Sequence, residues 1–97
     1  MLRHVALFCW KPDATDVAVR AFSDGLAALP AQIPEIRSYR FGPDAHLGGA
    51  NDDFAVVADF DDAEAYQRYA EHPAHRHVIA EFLMPILAGR HAVQYEV

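Results

Sequence analysis

The chain has 97 residues, 53% of them apolar, which is enough for one domain around one modest core and argues against disorder. The formal net charge of −6, with eight scattered Lys and Arg residues, excludes the basic footprint that a nucleic acid would need. Cys9 is the single cysteine, so no internal disulfide can form, and no apolar run is long enough to span a membrane. The run Val5 to Trp10 is also too short for the core of a signal peptide, so a cytoplasmic protein is expected.

The segment Arg3–Trp10 is short and apolar and is closed by Lys11-Pro12, the pattern of a strand. Ala14–Leu29 reads as a helix, because Val19, Phe22, Leu26 and Leu29 fall on one face. Asp13 or Thr15 would cap its start, and Pro30 and Pro34 are expected to end it. Gly25 inside this helix costs roughly 1 kcal/mol relative to alanine and suits a close contact. Ile36–Phe41 reads as a second strand ended by Gly42-Pro43, and Asp44–Asp52 as a mobile glycine-bearing loop. Phe54–Phe60 is a third strand. Asp61-Asp62 should cap a helix over Ala63–Glu71. After His72-Pro73 a further helix is expected from Ala74 to Leu87, kinked or ended by Pro85. His91–Val97 closes the chain as the last strand.

The order β-α-β-β-α-α-β over residues 1–97 is that of a single α+β domain. It is the ferredoxin-like plan, an antiparallel four-stranded sheet with its helices on one face and one additional helix before the last strand. Alternation sets His4, Ala6, Phe8 and Trp10 on one side of the first strand, and Val5, Leu7 and Cys9 on the other. In the third strand Phe54, Val56, Ala58 and Phe60 oppose Ala55, Val57 and Asp59. Both faces are therefore apolar, and two or three helices cannot cover both. A two-fold homodimer packed sheet on sheet is the simplest closure.

The run Tyr69-Ala70-Glu71-His72-Pro73-Ala74-His75 gathers a phenol and two imidazoles around one proline. Pro73 suits the first position of a helix, and His72 before it is held out of the αR region and serves the corner. His75 then lies in the first helical turn, where the positive end of the helix favours a neutral imidazole able to accept a proton from carbon beside a carbonyl. Tyr69 can hydrogen-bond the enolate oxygen, and His4 lies across the sheet as an orienting partner. Phe8, Tyr66, Phe54, Phe82, Leu83 and Ile86 would furnish the apolar wall of a pocket around them. The competing reading makes His75 a capping residue and fills the core solid. No metal site is expected here: His75 and His77 diverge on a helix, and a helix start repels cations. Cys9 is expected to pack at the dimer interface. His46 and His91 carry no assigned role.

Arg3-His4-Val5 with Phe8 and Trp10-Lys11, Ile33-Pro34 with Ile36, Phe60-Asp61, His72-Pro73-Ala74-His75 and Tyr95-Glu96-Val97 together resemble the stress-responsive dimeric α/β-barrel family. The resemblance covers the whole chain and implies a ferredoxin-like fold and a dimer whose sheets close into a barrel. In the family's plant polyketide cyclases an intramolecular aldol condensation proceeds without a cofactor. The positions of their catalytic tyrosine and histidine are held here by Tyr69 and His75, and a further active-site histidine matches His4. Cys9 stands where lysine is common. The resemblance thus implies catalysis by His75, Tyr69 and His4 on a small apolar carbonyl ligand, with no cofactor. Two alternatives remain open at this point. One is a non-catalytic, stress-associated or ligand-binding dimer whose turn is architectural. The other is a cofactor-free oxygenase.

Overall fold

Alternating apolar residues make strands here, and residues of three- and four-residue spacing make helices that lie across them. In the computed structural model, which describes residues 1–97, these elements are strand β1 (Leu2–Trp10), helix α1 (Asp16–Gln32), strands β2 (Ser38–Pro43) and β3 (Phe54–Phe60), helices α2 (Ala63–Glu71) and α3 (Pro73–Val78), and strand β4 (Leu87–Glu96). A π-helical segment, Ile79–Leu83, continues α3. The sheet order is β2-β3-β1-β4 with every pairing antiparallel, so the architecture is ferredoxin-like α+β. No helix is long and apolar enough to cross a membrane.

The core lies between one face of the sheet and the helices. Phe22, Leu26, Leu29 and Ile33 of α1 and its C-terminal cap pack against Phe8, Phe54, Val56 and Phe60. Burial of each such side chain contributes about 1.5–3 kcal/mol. Aromatic edges reinforce it: the Phe22 ring lies 5.8 Å from Phe8 and 5.4 Å from Phe54. Gly25 is the close contact in this layer, since a Cβ there would meet Val78 at 3.2 Å and Phe82 at 3.3 Å.

Several element ends differ from the expectation. Thr15 caps α1 through Oγ1, which accepts from Ala18 N at 3.1 Å. The helix does not stop at Pro30 but runs to Gln32, with Ile33 N donating to Leu29 O at 2.9 Å. The loss of one backbone bond at Pro30 is outweighed because the helical path buries both Leu29 and Ile33. Strand β2 begins at Ser38 rather than Ile36, since Ile36 N closes a turn onto Ile33 O. It includes Gly42 and Pro43, which an edge strand tolerates at its end. The loop of residues 44–53 is pinned at its base, Asp44 N donating to Asp53 O and Asp53 N to Phe8 O. The last helix, with its π-helical continuation, ends at Leu83, four residues before Leu87, as Pro85 is expected to make it. Pro85 lacks an N–H, a turn follows with Ile86 N donating to Leu83 O, and β4 starts at Leu87 instead of His91.

The other face of the sheet carries no helix. Val5 pairs with Val57 and Val93 across it. Val93 and Tyr95 are 56% and 47% exposed, so the apolar surface continues onto β4.

Candidate functional site

The corner between α2 and α3 aims the polar rings. Asp62 starts α2 by accepting from Ala65 N at 2.8 Å. His72 ends α2 with extended backbone, as a residue before proline must, and its Nδ1 accepts from Ala74 N at 3.0 Å. Pro73 opens α3. His75 is thereby turned back onto α2: its Nδ1 donates to Ala70 O at 3.1 Å, and its ring centre lies 4.3 Å from that of Tyr69.

These groups face a cavity of about 180 Å³ between the helices and the sheet. His4, Tyr69 and His75 all line it, with Tyr66, Phe8 and Leu83 in its wall. Three residues expected in that wall lie elsewhere. Phe54 is held behind it in the aromatic layer with Trp10, Phe22 and Phe41. Phe82 points to the α1 side, beside Gly25, because the π-helical turn rotates it away from Leu83. Ile86 is buried in the turn after that segment, where its carbonyl accepts from Lys11 N. A larger, shallower depression of about 560 Å³ beside the 44–53 loop contains no imidazole or phenol.

Hydrogen bonds set the tautomer of each imidazole. A carbonyl can only accept, so His75 carries its proton on Nδ1, leaving Nε2 as an acceptor with no partner in the chain. At His4 the polarity is reversed. Gln94 Nε2 donates to His4 Nδ1 at 2.8 Å, so the neutral ring holds its proton on Nε2. The cavity is therefore offered one imidazole acceptor and one imidazole donor. His4 is only 5% exposed and packs 4.8 Å from the Tyr66 ring. Burial, then the charges of Arg90 and His75, lowers its pKa to about 4. Burial is also the largest cause lowering the pKa of His75, with Arg90 and His72 adding to it and the Ala70 hydrogen bond opposing. Desolvation, rather than the start of the short helix α3, thus keeps this ring neutral.

The Tyr69 hydroxyl, in a residue 3% exposed, lies 2.6 Å from that of Tyr39. Burial pushes the Tyr39 phenol up to about 12 and, with Tyr39 beside it, holds Tyr69 far above the ordinary phenol range. Both are proton donors at neutral pH.

Sequence reasoning missed Tyr39, Gln94 and Arg90. Arg90 pairs in register with Phe8, lines the cavity and has no carboxylate partner. Its alternation with Ala92 and Gln94 along β4 is the signal that would have found it, had the strand been started at Leu87. The π-helical segment was also missed, although it supplies Ile79 and Leu83 to the wall; such segments recur at functional sites. His77 does not converge with His75 or His72: it is exposed and lies edge-on to Phe82 at 6.0 Å. His46 is an exposed loop residue with φ of 60°.

Fold and site together define a ferredoxin-like α+β domain with a small, mostly apolar cavity and a few convergent polar rings. The chain belongs to the stress responsive A/B barrel domain family, whose model matches residues 2–97. An uncharacterized protein of Streptomyces coelicolor is 33% identical over 82 residues, covering 82% of this chain and 84% of its own. A dimeric ferredoxin-like protein of unknown function from Thermobifida fusca superposes with a TM-score of 0.92 at 44% identity, covering 99% of this chain and 90% of that one. A dimeric ferredoxin-like protein of unknown function from Bacteroides fragilis gives 0.89 at 28% identity over 99% and 95%. The hydroxynitrile lyase of Passiflora edulis shares the fold alone, with a TM-score of 0.84 at 18% identity over 99% of this chain and 92% of the lyase.

Proposed function

We propose that the protein is a homodimer, joined through its uncovered sheet face, that catalyses cofactor-independent proton transfer or aldol-type chemistry on a small carbonyl compound. The observation that carries this reading is His75: one nitrogen is locked by the Ala70 carbonyl, and the other is unpartnered in a ring lining a cavity shared with proton donors.

In this mechanism His75 Nε2 removes a proton from carbon beside the substrate carbonyl. The electron pair of the broken C–H bond moves to the carbonyl oxygen. Tyr39 donates to Tyr69, which frees the Tyr69 proton to bond the developing enolate oxygen. Arg90 and the Nε2–H of His4 add positive charge and a second donor beside it. The enolate carbon either is reprotonated by the His75 imidazolium or attacks a second carbonyl carbon of the same molecule. In the latter case the imidazolium returns its proton to the new alkoxide. The cavity is only about 180 Å³, so the reacting portion is small.

The carbon acid can be tested before the substrate is known. Small ketones and β-diketones are incubated with the protein in deuterium oxide, and exchange at the carbon beside the carbonyl is followed by proton NMR. Catalysed exchange is expected in the native protein, with loss in His75→Ala and a fall of about 100-fold in Tyr69→Phe. Both variants should still unfold cooperatively. Exchange no faster than in His75→Ala would defeat the proposal.

A further inference from the structure

We propose that Cys9, Asp52 and His91 form a second site, which binds a divalent zinc-like ion on the sheet face away from the cavity.

The three residues come from three parts of the chain, β1, the loop before β3, and β4. Cys9 Sγ lies 2.9 Å from Asp52 Oδ1, and His91 Nδ1 lies 3.0 Å from Asp52 Oδ2. All three donor atoms lie within 4.8 Å of one another. The register explains the meeting. His91 opposes Leu7 and Gly89 opposes Cys9, so both side chains stand on the helix-free face. Gly89 adds no side chain between them. Asp52 is held by its neighbour: Asp53 N donates to Phe8 O at 2.8 Å, and Asp53 Oδ2 accepts from Trp10 N at 2.7 Å. A loop carboxylate is thereby delivered to a fixed point on the sheet.

Nucleophilic use of Cys9 does not fit this order. Activation of a thiol needs a neighbouring positive charge or a base to take its proton. Here the carboxylate stands in the middle, and its hydrogen bond is the largest cause raising the thiol pKa. A thiolate, an imidazole and a carboxylate are instead the mixed donor set that zinc accepts, with water in the fourth position. In tetrahedral zinc, bonds of about 2.0–2.3 Å set neighbouring donor atoms roughly 3.3–3.7 Å apart. The two contacts to Asp52 have to open to that spacing, and the widest pair, within 4.8 Å, has to close to it, movements that side-chain rotation can supply. The S–H and N–H protons now shared with Asp52 occupy the place of the ion. Binding forms an S–metal bond and breaks the S–H bond, releasing one proton to solvent. The proton that His91 Nδ1 shares with Asp52 is given up to solvent while Nε2 takes one from solvent, so the ring coordinates through Nδ1 in its other neutral tautomer and the net release stays at one proton.

The test uses the full chain without an affinity tag. Zn²⁺ is titrated calorimetrically in buffers of different ionisation enthalpy, and Co²⁺ is followed by absorption. One ion per chain is expected, with about one proton released and a thiolate-to-cobalt charge-transfer band. Cys9→Ser should abolish the band. His91→Ala, on the sheet face through which the dimer is proposed to close, should weaken Zn²⁺ binding by more than about 10-fold while sedimentation shows the same association state as the native protein. Absence of saturable uptake, or uptake equal in the native protein and both variants, would overturn the site. Neither result bears on the carbonyl chemistry, which is read from the other face.

Discussion

The hydroxyl of Tyr69 on α2 and that of Tyr39 on β2 meet at 2.6 Å beneath the cavity, joining an expected site residue to one that sequence spacing gave no reason to select. A buried and a half-buried phenol share one proton position between them, so each depends on the other for its hydrogen bond. Tyr39→Phe removes that partner and leaves the Tyr69 oxygen to the cavity alone. The expected cost is about 1–3 kcal/mol. For a domain of this size each kcal/mol is worth about 4–8 °C in Tm, readable by thermal circular dichroism. Carbon-acid exchange should fall as well, but less than in Tyr69→Phe.

Arg90→Gln should raise the pKa of His75. The guanidinium opposes a positive charge on that ring, and neutral glutamine does not. Titration of the His75 ring protons by NMR reads the change directly. Burial, the larger cause, persists, so the ring should stay below the ordinary histidine value. A lower pKa in the variant would contradict the placement of Arg90 beside the base.

Acid should weaken the fold through His4. The unfolded ring takes up its proton near 6.5, whereas the folded one does so only at about 4. Between those values the unfolded state binds more protons, so stability is full above 6.5 and falls as the pH drops towards 4. At about 1.4 kcal/mol per pH unit the whole interval is worth roughly 3 kcal/mol. His75 is lowered too and acts with the same sign. Urea titrations near neutrality and at about pH 5 should differ accordingly, with a smaller difference in His4→Gln.

Ala6 lines the cavity and is itself buried. Ala6→Leu should occupy much of the space in front of the polar rings. The expected result is loss of carbon-acid exchange with Tm unchanged or higher, because the added apolar carbons fill a void rather than displace packed atoms. Retained exchange would place the chemistry outside this cavity.

The helix-free sheet face provides an independent check on association. Val57 lies on it, paired with Val5 and with Arg40 of the edge strand. Val57→Asp would bury an unpaired charge in a sheet-on-sheet interface and should yield monomers in sedimentation experiments. The native protein should sediment as a dimer.

Much of the fold was legible because local chemistry and global packing agree. Alternation in β1 and β3 specified both faces of the sheet, and His4 and Phe8 fall on the covered one, Val5 and Leu7 on the other. Thr15, Asp62 and His72 marked helix starts through side chains that accept backbone protons, interactions spanning two or three residues. Element ends were less legible where long-range packing overrode a local signal, as at Pro30, or where pairing with β1 drew residues 87–90 into a strand.

The sequence by itself determined the element order, the two-faced sheet and the corner that sets Tyr69 near His75, since all three depend on short spacings and side-chain size. Only the tertiary structure decided which groups share the cavity and in which protonation state. Tyr39 and Arg90 reach it from distant segments, Gln94 acts on it through His4, and the tautomers of His4 and His75 are set by partners 90 and 5 residues away. Hydrogen bonds and desolvation act through space, and the juxtaposition of β1, β4 and the 44–53 loop around Cys9 arises for the same reason only once the sheet has closed.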